Sequence, residues 1–196
     1  VQFFGNRAQK PNSNQAAFDE NCKTYKDGVD CLIDYSNKCL EAQPAALAKS
    51  IMKSVKDHYN KRCNDPDYSK DFIEHNKCFE DPAIFEQFHQ CEDKWFHRMQ
   101  ELLKLKVDVE KGIQSTCCIF HEFQRCISEQ NTNLCHDKNA RFWDDTLDEV
   151  SDDTVNIFCA QLKTSEQCSK NFPADMWKQI DEPVKGMDAE ALKQRT

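Results

Sequence analysis

Cysteine is the residue that most restricts how this chain can fold. Twelve occur among 196 residues, an even number and more than a reducing compartment keeps in a protein of this size. A bound metal would need its thiolates in tight knuckles such as C-x-x-C, because a tetrahedral ion gathers its ligands from short loops. No C-x-x-C occurs, and the commonest interval between cysteines is eight residues. The twelve therefore read as six disulfides in an oxidised, secreted protein, with no metal and no cofactor expected.

The spacings also repeat. Cys22, Cys31, Cys39 and Cys63 are separated by eight, seven and twenty-three residues, and Cys117, Cys126, Cys135 and Cys159 by eight, eight and twenty-three. Residues between them correspond in character: Tyr25 with Phe120, Leu32 with Ile127, Leu47 with Trp143, Ile51 with Leu147. We read this as an internal duplication. In the first copy Leu47, Ile51, Val55 and Tyr59 recur every four residues, one stripe of a helix, with Pro44 in a first-turn position. In the second, Trp143, Leu147, Val150, Thr154, Phe158 and Leu162 do the same, with Asp137 as an N-cap. Each copy is expected to be two antiparallel helices, the start of one beside the end of the other. That geometry pairs Cys22–Cys63, Cys31–Cys39 and Cys126–Cys135, and joins Cys159 to Cys117 or Cys118. Cys78, Cys91, Cys168 and the other member of the Cys117–Cys118 pair are left to close among themselves.

Asp65–Pro66 and Asp81–Pro82 are helix-start signatures, a cap followed by proline. From Ala83 onward Phe85, Phe88, Trp95, Met99, Leu102 and Leu103 recur at threes and fours, so one long helix is expected to link the halves. Four glycines, six prolines and no stretch of period two argue against strands. The expected fold is all-α: disulfide-rich tandem helical hairpins joined by a long central helix. The organisation follows as a flexible N-terminal arm (1–20), a first cysteine-braced hairpin (21–80), a linking helix (81–115), a second hairpin (116–170) and a C-terminal tail (171–196), together one compact unit. The residues beyond Lys185 are polar and are expected to fray.

A formal net charge of −8 repels nucleic acid and anionic membrane surfaces. No apolar run approaches the roughly 20 residues that cross a bilayer, so no transmembrane segment is expected. The chain opens Val1–Gln2–Phe3–Phe4, as a mature protein does after a signal peptide is removed.

The segment Cys22–Lys–Thr–Tyr25–Lys–Asp–Gly28–Val–Asp–Cys31–Leu–Ile, the run Phe72–Ile–Glu–His75–Asn–Lys–Cys78–Phe79, and Cys91 after a Phe-rich turn resemble the insect 27 kDa haemolymph glycoprotein family. Phe120 through Cys126–Ile127 to Cys135 and Cys159 resembles that family's C-terminal half. The likeness spans roughly residues 20 to 170. It implies a helical, disulfide-rich protein of arthropod body fluid, with no catalytic residues to carry over. The chain departs from the family name in having no Asn-x-Ser/Thr sequon.

Catalytic patterns are scarce. Cys117–Cys118–Ile119–Phe120–His121–Glu122 looks like the Cys-Cys-x-x-His-Asp signature of secreted phospholipases A2. Its acid is a longer glutamate, however, and the glycine-rich calcium loop has no counterpart. His89 and His97 stand eight apart, too far for the i, i+4 pair that chelates zinc, and His58, His75 and His136 are scattered. No Gly-x-Ser-x-Gly, P-loop or dinucleotide fingerprint occurs. Asp144–Asp145 and Asp152–Asp153 read as solvated helix faces. An enzyme is not expected.

Thirteen phenylalanines and three tryptophans remain to be placed. Rings at helical spacing are core by default. The functional reading is a cavity between the two hairpins and the linking helix, lined by Phe85, Phe88, Trp95, Phe96, Met99 and Leu103, that accepts a lipid-like or other apolar molecule. The expectation is thus a secreted, non-enzymatic haemolymph or secretion protein carrying such a ligand. The alternative is a defence, venom or structural interaction protein with a solid core.

Overall fold

The computed structural model describes residues 14–40, 42–135, 141–149, 159, 161–162, 164–185 and 187. Asp137, His136, Val150, Asp152–Asp153, Thr154 and Phe158 fall outside them, as do the side chains of Pro44, Leu47 and Ile51. The fold is all-α, with no strand among the described residues. Its helices are α1 (Gln15–Cys39), α2 (Ala42–Asn64), α3 (Pro66–Asn76), α4 (Pro82–Lys104), α5 (Val109–Cys135), α6 (141–149), α7 (Ser165–Asn171) and α8 (Ala174–Lys185). A 3-10 turn, Lys77–Glu80, joins α3 to α4.

Local chemistry sets the starts. Asn14 caps α1 by accepting from the Ala17 amide at 3.0 Å. Asp65 accepts from the amides of Asp67 and Tyr68 at 2.9 and 3.2 Å, and Asp81 from that of Ala83 at 2.8 Å; in each case proline follows in the first helical position, where its missing N–H costs nothing. α1 and α2 pack as an antiparallel hairpin: Cys22 bonds Cys63, the Tyr25 and Tyr59 rings stack, and Lys56 pairs with Asp30 at 2.7 Å. Phe18 is buried, so helical structure reaches into the segment expected to be a flexible arm.

The expected linking helix 81–115 is divided. α4 ends at Lys104, residues 105–108 turn with Lys106 at φ 47°, and Asp108 starts α5 by accepting from the Lys111 amide at 2.9 Å. Instead of bridging two halves, α4 lies antiparallel against α5. Cys91–Cys126 and Cys78–Cys135 join them, and Trp95 meets Phe123 with ring centres 5.6 Å apart.

Those bonds correct the expected pairing. Cys126 and Cys135 are not bonded to each other, nor are Cys31 and Cys39, which are unpaired and exposed. Each expected pair sits on a single unbroken helix, where eight or nine residues rise about 12–13.5 Å, while a disulfide needs Cα atoms about 4.4–6.8 Å apart. Neither Leu32–Lys38 nor Ile127–Leu134 contains a glycine or proline to turn the chain. Cys78 and Cys91 do not bond each other either. Cys22–Cys63, Cys117–Cys159 and Cys118–Cys168 complete five bridges rather than six.

Three apolar clusters fill the interior. Phe18, Phe72, Phe79, Phe88, Phe123, Ile127, Trp143 and Leu147 gather α1, α3, α4, α5 and α6. Leu102, Ile119, Leu162, Phe172 and Ile180 gather α4, α5, α7 and α8 around the two adjacent disulfides of Cys117 and Cys118. Tyr25, Val29 and Val55 seal the first hairpin. Within the segment read as a tail, α8 is part of the core: Ile180 and Val184 are fully buried, and Arg98 donates to Asp181 Oδ1 at 2.9 and 2.7 Å.

Candidate functional site

The first hairpin does not close flush on the rest. Between it and the α4–α5–α6 layer lies a cavity of about 360 Å³, within the range of about 300–1,000 Å³ usual for small-molecule sites. α1 contributes Asn21, Tyr25, Val29 and Leu32; α2 contributes Met52, Val55, His58, Tyr59 and Arg62; α3 contributes Phe72. The opposite wall is Trp95 and Phe96 of α4, Phe120 and Phe123 of α5, and Trp143, Thr146 and Leu147 of α6. The lining is mainly rings and branched aliphatics, the setting in which water is held poorly and an apolar chain is held well.

Of the six residues read from sequence as lining, Trp95 and Phe96 do so. Phe88 is buried in the core and tilts against Phe79 with ring centres 4.9 Å apart. Phe85 packs against the same cluster, edge-on to His89 at 4.3 Å. Met99 packs against the cluster around Cys117–Cys159 and Cys118–Cys168. Leu103 is 75% exposed and points away from any core. The stripe of α4 is real, but one helix face serves three neighbours in turn: core, cavity and α8.

Sequence reasoning missed the polar residues of this cavity. Arg62 is buried, with its guanidinium carbon 3.9 Å from the centre of the Tyr59 ring and 4.3 Å from that of Phe72. Stacking over ring faces holds it by cation–π attraction. Its Nε has no hydrogen-bond partner, and no carboxylate forms an ion pair with it among the described residues. Asn21 Oδ1 and the indole Nε1 of Trp95 are likewise buried without partners. Buried polar atoms are ordinarily satisfied, so a group of orphans around one cavity calls for an explanation. The signal was present: Arg62 continues the Val55–Tyr59 stripe at the next helical interval, a cation where an apolar residue is due.

His58 lies beside Arg62 on the same wall. Burial, then the nearby Arg62 charge, push its imidazole down to about 4 against the opposing pull of Glu149, so it is neutral at physiological pH. Its Nδ1 stands 3.2 Å from Glu149 Oε2, off the hydrogen-bonding line, and its Nε2 has no partner. Glu149 also pairs with Lys61 and accepts from the Tyr68 hydroxyl at 3.4 Å. Burial raises both Tyr25 and Tyr59, which stay protonated.

The other patterns read from sequence are accounted for structurally. Cys117 and Cys118 are consumed in disulfides, and Glu122 pairs with Arg125 at 2.7 Å. His89 and His97 are buried, His89 with its Nδ1 2.7 Å from Glu92 Oε2. His75 stacks on Phe142. No group of three or more His, Cys, Asp or Glu side chains converges as a metal site among the described residues. No family model, curated protein or solved structure matches this chain.

Proposed function

We propose that this protein is a secreted, non-enzymatic carrier of a lipid-like amphiphile, an apolar chain ending in an anionic head group such as a fatty carboxylate. One observation carries the reading: a cavity walled by rings and aliphatics contains a buried arginine with no carboxylate partner among the described residues. A buried cation is costly unless a counter-charge satisfies it, and a ligand carboxylate at Arg62 would supply one. The apolar tail would then lie among Val29, Val55, Phe96 and Phe120, displacing poorly held water. The orphan donor of Trp95 suits a second head-group oxygen.

Five disulfides support an oxidising, extracellular setting, as does the resemblance to haemolymph proteins. No helix is long and apolar enough to cross a membrane among the described residues. The net charge of −8 disfavours a nucleic-acid partner. A defence, venom or structural role without a small-molecule site would be favoured by a solid core, and the cavity weighs against it.

The test is native mass spectrometry of protein purified without detergent, followed by delipidation and titration with a fluorescent fatty acid. The expected result is one bound amphiphile per chain, displaced by the probe at matching stoichiometry. An empty preparation that also fails to bind the probe removes the proposal.

A further inference from the structure

We propose that the exposed face of α1 docks on the same face of a second copy of this chain, locked by two reciprocal disulfides between Cys31 of each copy and Cys39 of the other.

Ten of the twelve cysteines are bonded within the chain, leaving only Cys31 and Cys39, both exposed. They cannot meet each other along one helix. The other ten cysteines of residues 1–196 are already bonded to one another. Their places in the first cysteine series correspond to Cys126 and Cys135 in the second, and those two are bonded to cysteines of an antiparallel neighbour, α4 and the turn before it. Among the described residues, no helix is disulfide-bonded to α1 on this side. The residue contrast is direct: Ile127, covered by α4, is fully buried, while its counterpart Leu32 is 42% exposed.

The face is built to receive itself. Cys31, Tyr35 and Cys39 recur every four residues on one stripe of α1, and Tyr35 is 57% exposed. Tyr35 is midway between the cysteines both along the helix and around it. A two-fold axis through Tyr35 sets two α1 helices antiparallel, placing Cys31 of one copy opposite Cys39 of the other, twice, as a closed isologous contact requires. The two bridges would lie about 12 Å apart along the helices, and helix axes about 8–10 Å apart bring the paired Cα atoms into disulfide range. Leu32, which also lines the edge of the cavity, flanks one side of the stripe. On the other side Asp34 and Lys38, 3.3 Å apart within the helix, are brought by the two-fold beside Lys38 and Asp34 of the partner copy. Gly28 lies on the same side of α1 with nothing within 4 Å of an added Cβ, so packing inside the chain gives no reason for a glycine there.

Each bridge forms by thiol–disulfide exchange with a disulfide oxidant of the secretory compartment, of the glutathione-disulfide class. A Cys31 thiolate attacks the oxidant and releases one thiol. The Cys39 thiolate of the other copy then attacks the mixed disulfide and releases the second. Two bridges consume four protein thiols and two oxidant disulfides and leave four reduced thiols.

The experiment is intact mass and non-reducing electrophoresis of the full chain made through a secretory pathway, with peptide mapping of the unreduced protein. The expected result is a species at twice the chain mass, a Cys31–Cys39 linked peptide, and conversion to monomer by reductant. C31S/C39S is expected to run wholly as monomer without reductant while keeping the five internal bridges. Tyr35→Glu, which leaves both thiols, is expected to reduce the covalent dimer at least tenfold. A monomer whose two thiols are free to an alkylating reagent, or capped by a small thiol, overturns the proposal. So does a Cys31–Cys39 bond within one chain, or a dimer joined Cys31 to Cys31.

Discussion

His58 Nδ1 of α2 and Glu149 Oε2 of α6 stand 3.2 Å apart beside the cavity wall. The imidazole is buried while the carboxylate is 41% exposed. One partner is therefore held neutral by desolvation, and the other stays charged beside water and Lys61. That asymmetry makes the contact between α2 and α6 sensitive to acid.

Stability is expected to fall as pH drops from about 6.5 to about 4. In the unfolded chain His58 takes up its proton near the ordinary 6.5, whereas in the fold it does so only near 4. The unfolded state thus binds more protons across that window, and acid favours it. Glu149, held below the usual carboxylate range by Lys61 and His58 despite partial burial, acts in the same sense at lower pH. The His58 contribution is at most about 3 kcal/mol. Urea unfolding at a series of pH values should show the decline, and His58→Gln should flatten it; an unchanged slope in the variant would count against the assignment.

Arg62→Met is expected to weaken binding of a long-chain fatty acid by tenfold to a hundredfold, the loss of about 1.5–3 kcal/mol for a hydrogen bond to a charged group. Binding of the matching fatty alcohol should change little. Fluorescence displacement with both ligands gives the comparison. Removing a buried charge with no carboxylate partner among the described residues should leave the melting temperature of the ligand-free variant no lower than that of the parent.

Asp181→Ala is expected to cost about 1.5–3 kcal/mol, because it removes the charge-assisted hydrogen bonds that the partly buried Arg98 guanidinium makes to α8. Replacing both partners, Arg98→Met with Asp181→Leu, should recover most of that loss. Denaturant midpoints of the two single variants and the double variant form the cycle that checks it.

Removing the Cys118–Cys168 bridge by C118A/C168A is expected to cost about 2–4 kcal/mol and to release α7 and α8 first. Hydrogen exchange should quicken in Ser165–Asn171 and Ala174–Lys185 while α1 and α2, braced by Cys22–Cys63, keep their protection.

Some of this was legible because its causes are local. Asp65 and Asp81 cap the helices they were read as capping, since a carboxylate followed by proline satisfies the first amides within a few residues. Cys22–Cys63 followed from one hairpin, where the register of two sequential helices fixes which residues face each other. The division of the long helix was missed although Asp108, itself an N-cap, marks it. Of the candidate site, Trp95 and Phe96 were legible as two of six residues read as a wall, whereas Arg62 and His58, on α2, were not read as part of it.

By itself the sequence determined that the chain is helical, where several helices begin, and that oxidised cysteines brace it. Only the tertiary structure decided that Cys126 takes Cys91, that Cys135 takes Cys78, that Leu103 faces solvent while Phe88 is core, and that Arg62 is enclosed by Tyr59 and Phe72. The reason is one of range. Helical periodicity fixes which residues share a face, whereas the neighbour each face meets depends on how separate helices cross, and cysteine spacing does not encode that angle.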